Sequence, residues 1–434
     1  VVGGRLTSGV LWNVTGAVFN QGSTFLLGII VAANLGRELY GAFGFLQSTL
    51  ATFASLAQLA LGFAATKYIA EFRLVDKPRA GRVLGLCVAL SAVTGTVAAL
   101  IAVLGARPIA VTLARQSLLE EVIRLGAPTI AFVAMAAALT GALSGLERFR
   151  SIAFAGVVSG IAYLAICAAG AIHWRLNGVA AGLSISALLQ CALLFVIVRR
   201  AAAEEGIPLP RVDRELVVRE RSVLFKTALP AGLSGLTTLP TLWLVAAILA
   251  RQREGMSELA LFAAANSLRL LVNFVPALIN NVGFSILSSH KGSADTRAYW
   301  SVFRSNVLMV TGIAVAGAAF VALLGVPALR LFGRSFVEGY PILLLLLAAC
   351  PVEAVAISVY QIIQTHGNMW LSLFGIAVPR DLAIIVLSFW LAPRYGAGGV
   401  AVAILTGAAA TLISVLILVA RTRHAVAGRA AVAP

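Results

Sequence analysis

The sequence predicts an all-α integral membrane fold: twelve transmembrane helices in two six-helix bundles related by a pseudo-two-fold axis. Composition is the first observation behind this, since 60% of the 434 residues are hydrophobic and only 12% charged, against about 25% charged in an ordinary soluble domain. The second is the clustering of those charges, which leaves apolar runs longer than the roughly 18 residues that suffice to cross a bilayer. The third is a long polar segment near the middle of the chain. Together they exclude a soluble globular enzyme.

Clean runs between neighbouring charges occupy residues 6 to 36, 39 to 66, 83 to 106, 125 to 146, 151 to 174, 176 to 198, 227 to 250, 305 to 329 and 395 to 420. Three more spans carry charge. Residues 259 to 290 hold Arg269, and the stretch 339 to 393, too long for one helix, holds Glu353, Arg380 and Asp381 and breaks at His366, Gly367 and Asn368. The spans must be helices, because backbone groups in lipid need partners within the segment, and the runs far exceed the strands of about ten residues in a membrane barrel.

With an even number of spans both termini lie on one side, and Lys and Arg mark that side as cytoplasmic. It carries Arg5, Lys67, Arg73, Lys77, Arg79, Arg82, Arg148, Arg150, the cations from Arg199 to Lys226 and those of the C-terminal tail. They outnumber the cations of the opposite side roughly two to one, as the positive-inside rule requires. This asymmetry and attraction to anionic lipid account for the net charge of +16, so no nucleic-acid partner is predicted. The first apolar run is too long for the core of a cleavable secretory signal.

The polar segment from Arg199 to Lys226 divides the chain into a bundle over 1–200, a cytoplasmic linker over 201–223 and a second bundle over 224–434. An internal similarity at an offset of about 220 residues supports the division. FRSIAFAGVV from Phe149 matches MWLSLFGIAV from Met369, and Gly178-Val179-Ala180 returns as Gly399-Val400-Ala401. Repeated halves of this kind are a transporter architecture with the substrate site near the midplane. Trp12, Trp174, Trp300, Trp370 and Trp390 fall near span ends as an interfacial belt; Trp243 is the exception. Cys87, Cys167, Cys191 and Cys350 lie inside spans without C-x-x-C spacing, and read as core residues rather than a disulfide or zinc framework.

No nucleophile constellation, phosphate-cradling loop, metal cluster or cofactor motif is visible, so the polar residues inside the spans must carry the function. Asn13, Asn20 and Thr24 share a face of the first span, and Gln47 and Gln58 nearly share one in the second. Amides of this kind either meet substrate or cross-link helices. In the eighth span Asn266, Arg269, Asn273 and Asn280 lie in a narrow arc. An Arg at membrane depth costs at least about 2.5 to 3.5 kcal/mol, so it should face a watery cavity or a partner. Pairing with Glu353 or Asp381 is the structural alternative.

In the tenth span Glu353, Tyr360 and Gln364 share a face just after Pro351. Neighbouring helical residues point in different directions, so Arg380 and Asp381 are not expected to neutralise each other simply. Glu353 and Asp381 are the deep carboxylates and hence the candidates for proton or sodium coupling, with structural pairing to Arg269 or Arg380 the other reading. Pro128, Pro230, Pro276, Pro351 and Pro379 lie inside spans, where bends shape cavities. On the cytoplasmic rim Lys67, Arg73, Arg148 and Arg150 could gather an anionic head group, and ordinary topology explains them equally.

Three segments carry a family resemblance: Leu35-Gly36-Arg37-Glu38-Leu39-Tyr40-Gly41 after the first helix, Ala65-Thr66-Lys67-Tyr68-Ile69-Ala70-Glu71 at the end of the second, and GAGGVAVA from Gly396 to Ala403. With the length and the six-plus-six division, the chain resembles the polysaccharide flippases of the multidrug/oligosaccharidyl-lipid/polysaccharide exporter superfamily. The resemblance implies a V-shaped transporter with a central cationic cavity in the bacterial cytoplasmic (inner) membrane. It would move an undecaprenyl-pyrophosphate-linked oligosaccharide, such as an O-antigen, exopolysaccharide or capsule unit, to the periplasmic leaflet. Membrane lipids, the polysaccharide polymerase and the chain-length machinery are the implied partners. Arg269 lies near where the related lipid II flippases look to carry a cavity arginine. The first-helix stripe here lacks charge and no helices follow the twelfth, which makes peptidoglycan precursor a less expected substrate.

A cation-coupled multidrug exporter of the same superfamily is the nearest rival, but its carboxylate in the first half has no counterpart here. A major-facilitator transporter would need a loop motif that Asp76 to Arg82 matches only in part. A membrane glycan polymerase or ligase would need a large external loop, and the longest outer loop, about Arg107 to Arg124, is small.

Overall fold

A computed structural model describes residues 2–208, 220, 238–290, 296–365 and 372–430, with side chains described for 16–208, 220, 238–280, 300–301, 303–363 and 372–420. The side chains of Asn13 and Gln364, and Pro230 entirely, lie outside the described residues. By packing, the chain forms two compact units, Val1–Trp243 and Leu244–Pro434. Among the described residues there is no strand, and nine helices are long and apolar enough to cross a membrane.

Two of those nine are each long enough for two crossings. Phe149–Glu204 has 56 residues, which as a straight rod would reach about 84 Å, nearly three times the hydrocarbon core. It is instead broken at Trp174 and Arg175, where Arg175 has φ 53° and ψ −137°. Val378–Ala430 is broken in the same way at Gly396, with φ 53° and ψ −134°. Counting both arms of each, and taking Thr238–Ala250 as the described part of the seventh, recovers the twelve segments expected from the charge-free runs.

In the first unit the order is Val2–Gln58, kinked at Gly36 (φ 81°), then Leu61–Phe72, Lys77–Leu104, Leu118–Gly126, Pro128–Gly145 and Phe149–Glu204. Leu59 and Ala60, both at positive φ, separate the first two helices. Pro128 opens its helix at the first turn, where a missing N–H costs nothing. Small residues let these helices approach closely: a Cβ on Gly62 would sit 2.6 Å from the Ala137 carbonyl oxygen, and one on Gly141 would collide with Gly62. Such contacts suit helices in lipid, where apolar burial alone does not drive association. Cys87 and Cys191 belong to the buried core among Leu61, Ala65, Ile69, Leu139 and Leu194, and all four cysteines are buried and free. Trp243 is explained as well, since its indole N–H donates to Thr49 Oγ1 at 3.0 Å.

The second unit runs Gly255–His290 with Pro276 inside it, Thr296–Leu323, the short Gly325–Arg330 and Arg334–Gly339 turns, Tyr340–Thr365 with Pro351 inside it, and Val378–Ala430. A π-helical turn, Leu373–Ala377, precedes the last of these. Pro379 lies two residues past its end and has no N–H to return to the preceding turn, a common cause of a widened turn.

Candidate functional site

In the second unit, Asn266, Arg269 and Asn273 follow one another at helical spacing on Gly255–His290 and form one network around a single carboxylate. Glu353 Oε1 pairs with Arg269 Nη2, and its Oε2 accepts from Asn273 Nδ2 at 2.8 Å. Arg269 Nη1 donates to Asn266 Oδ1 at 2.9 Å, while its Nε is buried without a hydrogen-bond partner. Glu353 comes from Tyr340–Thr365, two residues past Pro351. Two of the four residues of the eighth-span arc thus meet the deep carboxylate of the tenth, and a third, Asn266, holds the arginine between them.

The fourth, Asn280, builds a different and uncharged group. Its Oδ1 accepts from Ser358 Oγ at 3.0 Å, from Gln361 Nε2 at 3.2 Å and from Asn306 Nδ2 at 3.3 Å, and its backbone carbonyl accepts from Gln361 Nε2 at 2.7 Å. Asn306, Ser358 and Gln361 were not singled out in the sequence, although Ser358 and Gln361 stand three apart, at helical spacing. Tyr360 packs instead on the apolar cluster of Val359, Ile362, Ile363 and Val415.

Arg380 and Asp381 correct one expectation: they do pair, with Arg380 Nε and Nη2 both 2.8 Å from Asp381 Oδ1. The argument from neighbouring directions fails because a guanidinium on a long stem can curl around the helix to the next side chain. Asp381 is 6% exposed, and its Oδ2 is buried without a hydrogen-bond partner.

In the first unit Asn20, Thr24 and Gln47 line a cavity of about 530 Å³, with Tyr163 and Gln190 from the two arms of Phe149–Glu204. Gln47 Nε2 donates to Tyr163 Oη at 3.4 Å. Tyr163, Ser159 and Gln190 were missed; the spacing of four between Ser159 and Tyr163 and between Ser186 and Gln190, in the fifth and sixth charge-free runs, was the signal for them. Gln58 does not join the cavity, and lies half-buried where its helix ends.

On the rim, Arg73 pairs with Glu147, and Arg148 bridges Glu204 at 2.8 Å and Glu205 at 3.2 Å. Lys67 lies 5.1 Å from the Tyr68 ring centre, and Arg150 is also engaged. Arg79 and Arg82 share Glu220, at 3.3 and 3.2 Å. Much of the cationic rim is therefore locally neutralised. Among the described residues no group of three or more His, Cys, Asp or Glu side chains is placed to hold a metal ion.

Residues 6–290 match the family profile described as polysaccharide biosynthesis protein. The chain is 25% identical over 403 residues to the EPS I polysaccharide export inner membrane protein EpsE of Ralstonia nicotianae, covering 91% of this chain and 88% of that protein. The like-named protein of Ralstonia solanacearum is also 25% identical, over 405 residues, with the same coverage. Among solved structures, an inward-facing multidrug resistance MATE family transporter of the MOP superfamily superposes with a TM-score of 0.74, at 15% identity over 96% of this chain and 99% of that one. The lipid II flippase MurJ in an inward closed conformation gives 0.73, at 13% identity over 94% and 87%. These two likenesses establish the fold.

Proposed function

The chain belongs to the polysaccharide biosynthesis protein family, and from that premise we propose that it is an inner-membrane flippase for lipid-linked oligosaccharide. The cargo in this reading is an undecaprenyl-pyrophosphate-linked repeat unit, carried from the cytoplasmic to the periplasmic leaflet by alternating access, with both termini cytoplasmic. The polymerase and chain-length machinery would receive it. The EpsE relatives, described as polysaccharide export inner membrane proteins, support the substrate class.

The observation that carries the reading is the state of Arg269. Its side chain is 13% exposed, and its guanidinium is held by Glu353 and keeps a buried Nε without a partner. A diphosphate offers several anionic acceptors to such a fork, and guanidinium binds phosphate by paired hydrogen bonds. The diphosphate would compete with Glu353, and proton uptake by Glu353 would release the guanidinium to the substrate. Glu353 therefore remains the first candidate for coupling to a proton or sodium gradient, and Asp381, with its unpartnered Oδ2, the second. A drug-exporter reading gains nothing from the first unit's cavity, which no carboxylate among the described residues lines.

Reconstitution in liposomes tests this directly, by following leaflet translocation of a fluorescent undecaprenyl-pyrophosphate oligosaccharide with and without a pH or sodium gradient. Wild-type protein should translocate it and Arg269→Ala should do so at least about tenfold more slowly, the loss of one charge-assisted contact. An inactive but folded wild type would overturn the function, and full activity of both Arg269→Ala and Arg380→Ala would overturn the cavity assignment.

A further inference from the structure

We infer that the cavity within the first unit is a subsite for uncharged sugar rings of the translocated glycan. The inference rests on the flippase reading above and deepens it by assigning a substrate chemistry to residues that reading leaves unused.

The cavity's size, about 530 Å³, falls in the range of about 300–1,000 Å³ typical of small-molecule sites. Its lining mixes polar groups with apolar surface such as Leu50 and Val133, and no charged side chain among the described residues contributes to it. Some of its hydroxyls are satisfied within the helices, Thr24 donating to the Asn20 carbonyl and Ser186 to that of Leu183, both at 3.0 Å. Ser159 Oγ is buried without a partner, the Gln47 to Tyr163 contact is long at 3.4 Å, and the Asn20 and Gln190 amides complete the polar lining.

A buried hydroxyl without a partner is costly, and with the amides around the same space it offers a polar guest several groups to bond. An amide both donates and accepts, as does a sugar hydroxyl, and the phenol of Tyr163 does likewise. The C–H face of a pyranose suits the Leu50 and Val133 surface. A uronate or other ionised sugar would be stripped of water with no counter-charge, which selects for uncharged rings.

Binding of the glycan alone is the test, made on the purified full chain. The probe is the oligosaccharide released by mild acid from the producing cell's own lipid-linked pool, labelled at its reducing end. Saturable binding is expected, weakened about tenfold by Gln190→Leu and abolished by Ala187→Phe, which fills the cavity. Thr406→Val, in the second unit, should bind as wild type does. The same oligosaccharide with its primary hydroxyls oxidised to carboxylates should fail to compete. Absence of saturable wild-type binding, equal affinity in both cavity variants, or equal competition by the oxidised glycan would overturn the inference. Liposome translocation run alongside separates the two readings. Glycan binding without lipid-linked translocation rejects the flippase and keeps the subsite. Translocation indifferent to Gln190→Leu and Ala187→Phe rejects the subsite and keeps the flippase.

Discussion

The first unit gathers uncharged amides and hydroxyls around an open cavity and leaves the Ser159 hydroxyl among them unpaired, whereas the second gathers charges and closes them on one another. Asn20, Gln47, Tyr163 and Gln190 are uncharged and surround space. Arg269, Glu353, Asn266 and Asn273 form one network, and Arg380 with Asp381 a second pair. Both solutions keep polar groups at membrane depth, but they differ in what they hold in reserve. Neutral groups can wait unpaired at moderate cost; ionised groups cannot, and need a partner until a ligand replaces it. The division suits a cargo with two chemistries, an uncharged glycan and an anionic linkage.

The comparison breaks most sharply at Glu353. Glu353→Leu should destabilise the folded chain by about 3–5 kcal/mol, because it strands a half-buried guanidinium. The double variant Arg269→Met with Glu353→Leu should recover most of that loss, since removing both charges also removes their desolvation. Thermal unfolding in detergent reads both, and a single variant as stable as wild type would mean that the second unit is not locked by charge.

The first unit should break instead at backbone contact. Gly141→Ala drives a Cβ into Gly62, whose carbonyl also accepts from Thr66 along with that of Gly141 itself, at 3.0 and 2.9 Å. A loss of about 2–3 kcal/mol is expected, the range for overpacking where backbone must move. Unchanged melting would show that these helices are not held at contact distance.

What the sequence carried and what it did not follows the same division. Charges are rare in apolar runs, so Arg269, Glu353 and Asp381 announced themselves, and helical spacing then tied Asn266 and Asn273 to Arg269. The charge-free runs likewise yielded the spans. Two short stripes were passed over, Ser159 with Tyr163 on one arm and Ser186 with Gln190 on the other; that they face one cavity follows only from Phe149–Glu204 folding back at Arg175, a meeting between arms that no single-helix stripe records. The Arg380 to Asp381 pair was misread because spacing arguments fix where Cβ atoms point and ignore the reach of a guanidinium.

Asn280 offers a finer test within the second unit, because it is neutral yet satisfied. Asn280→Ala removes the acceptor shared by Ser358, Gln361 and Asn306. About 2 kcal/mol should be lost, the cost of leaving buried donors short of a partner. A loss as large as that of Glu353→Leu would erase the distinction between neutral and ionised networks.

The smallest expected effect concerns the two helix breaks themselves. Arg175 and Gly396 occupy nearly the same backbone conformation, at φ 53° in both, in a region that glycine enters freely and other residues at a cost of about 1–3 kcal/mol. In the second unit glycine also makes room: a Cβ on Gly396 would collide with Glu258, whose Oε2 accepts from the Ala397 N–H at 2.7 Å and so caps the helix that follows. The first unit makes the same turn with an arginine and carries the strain. Arg175→Gly should therefore raise stability by about 1 kcal/mol, the relief being partly offset by the greater freedom of glycine in the unfolded chain. Gly396→Ala should lower it by more, having both strain and collision to bear. If melting temperatures instead fall for Arg175→Gly, the arginine side chain contributes at this turn what Glu258 contributes at the other, and the two breaks share a backbone path without sharing the means of holding it.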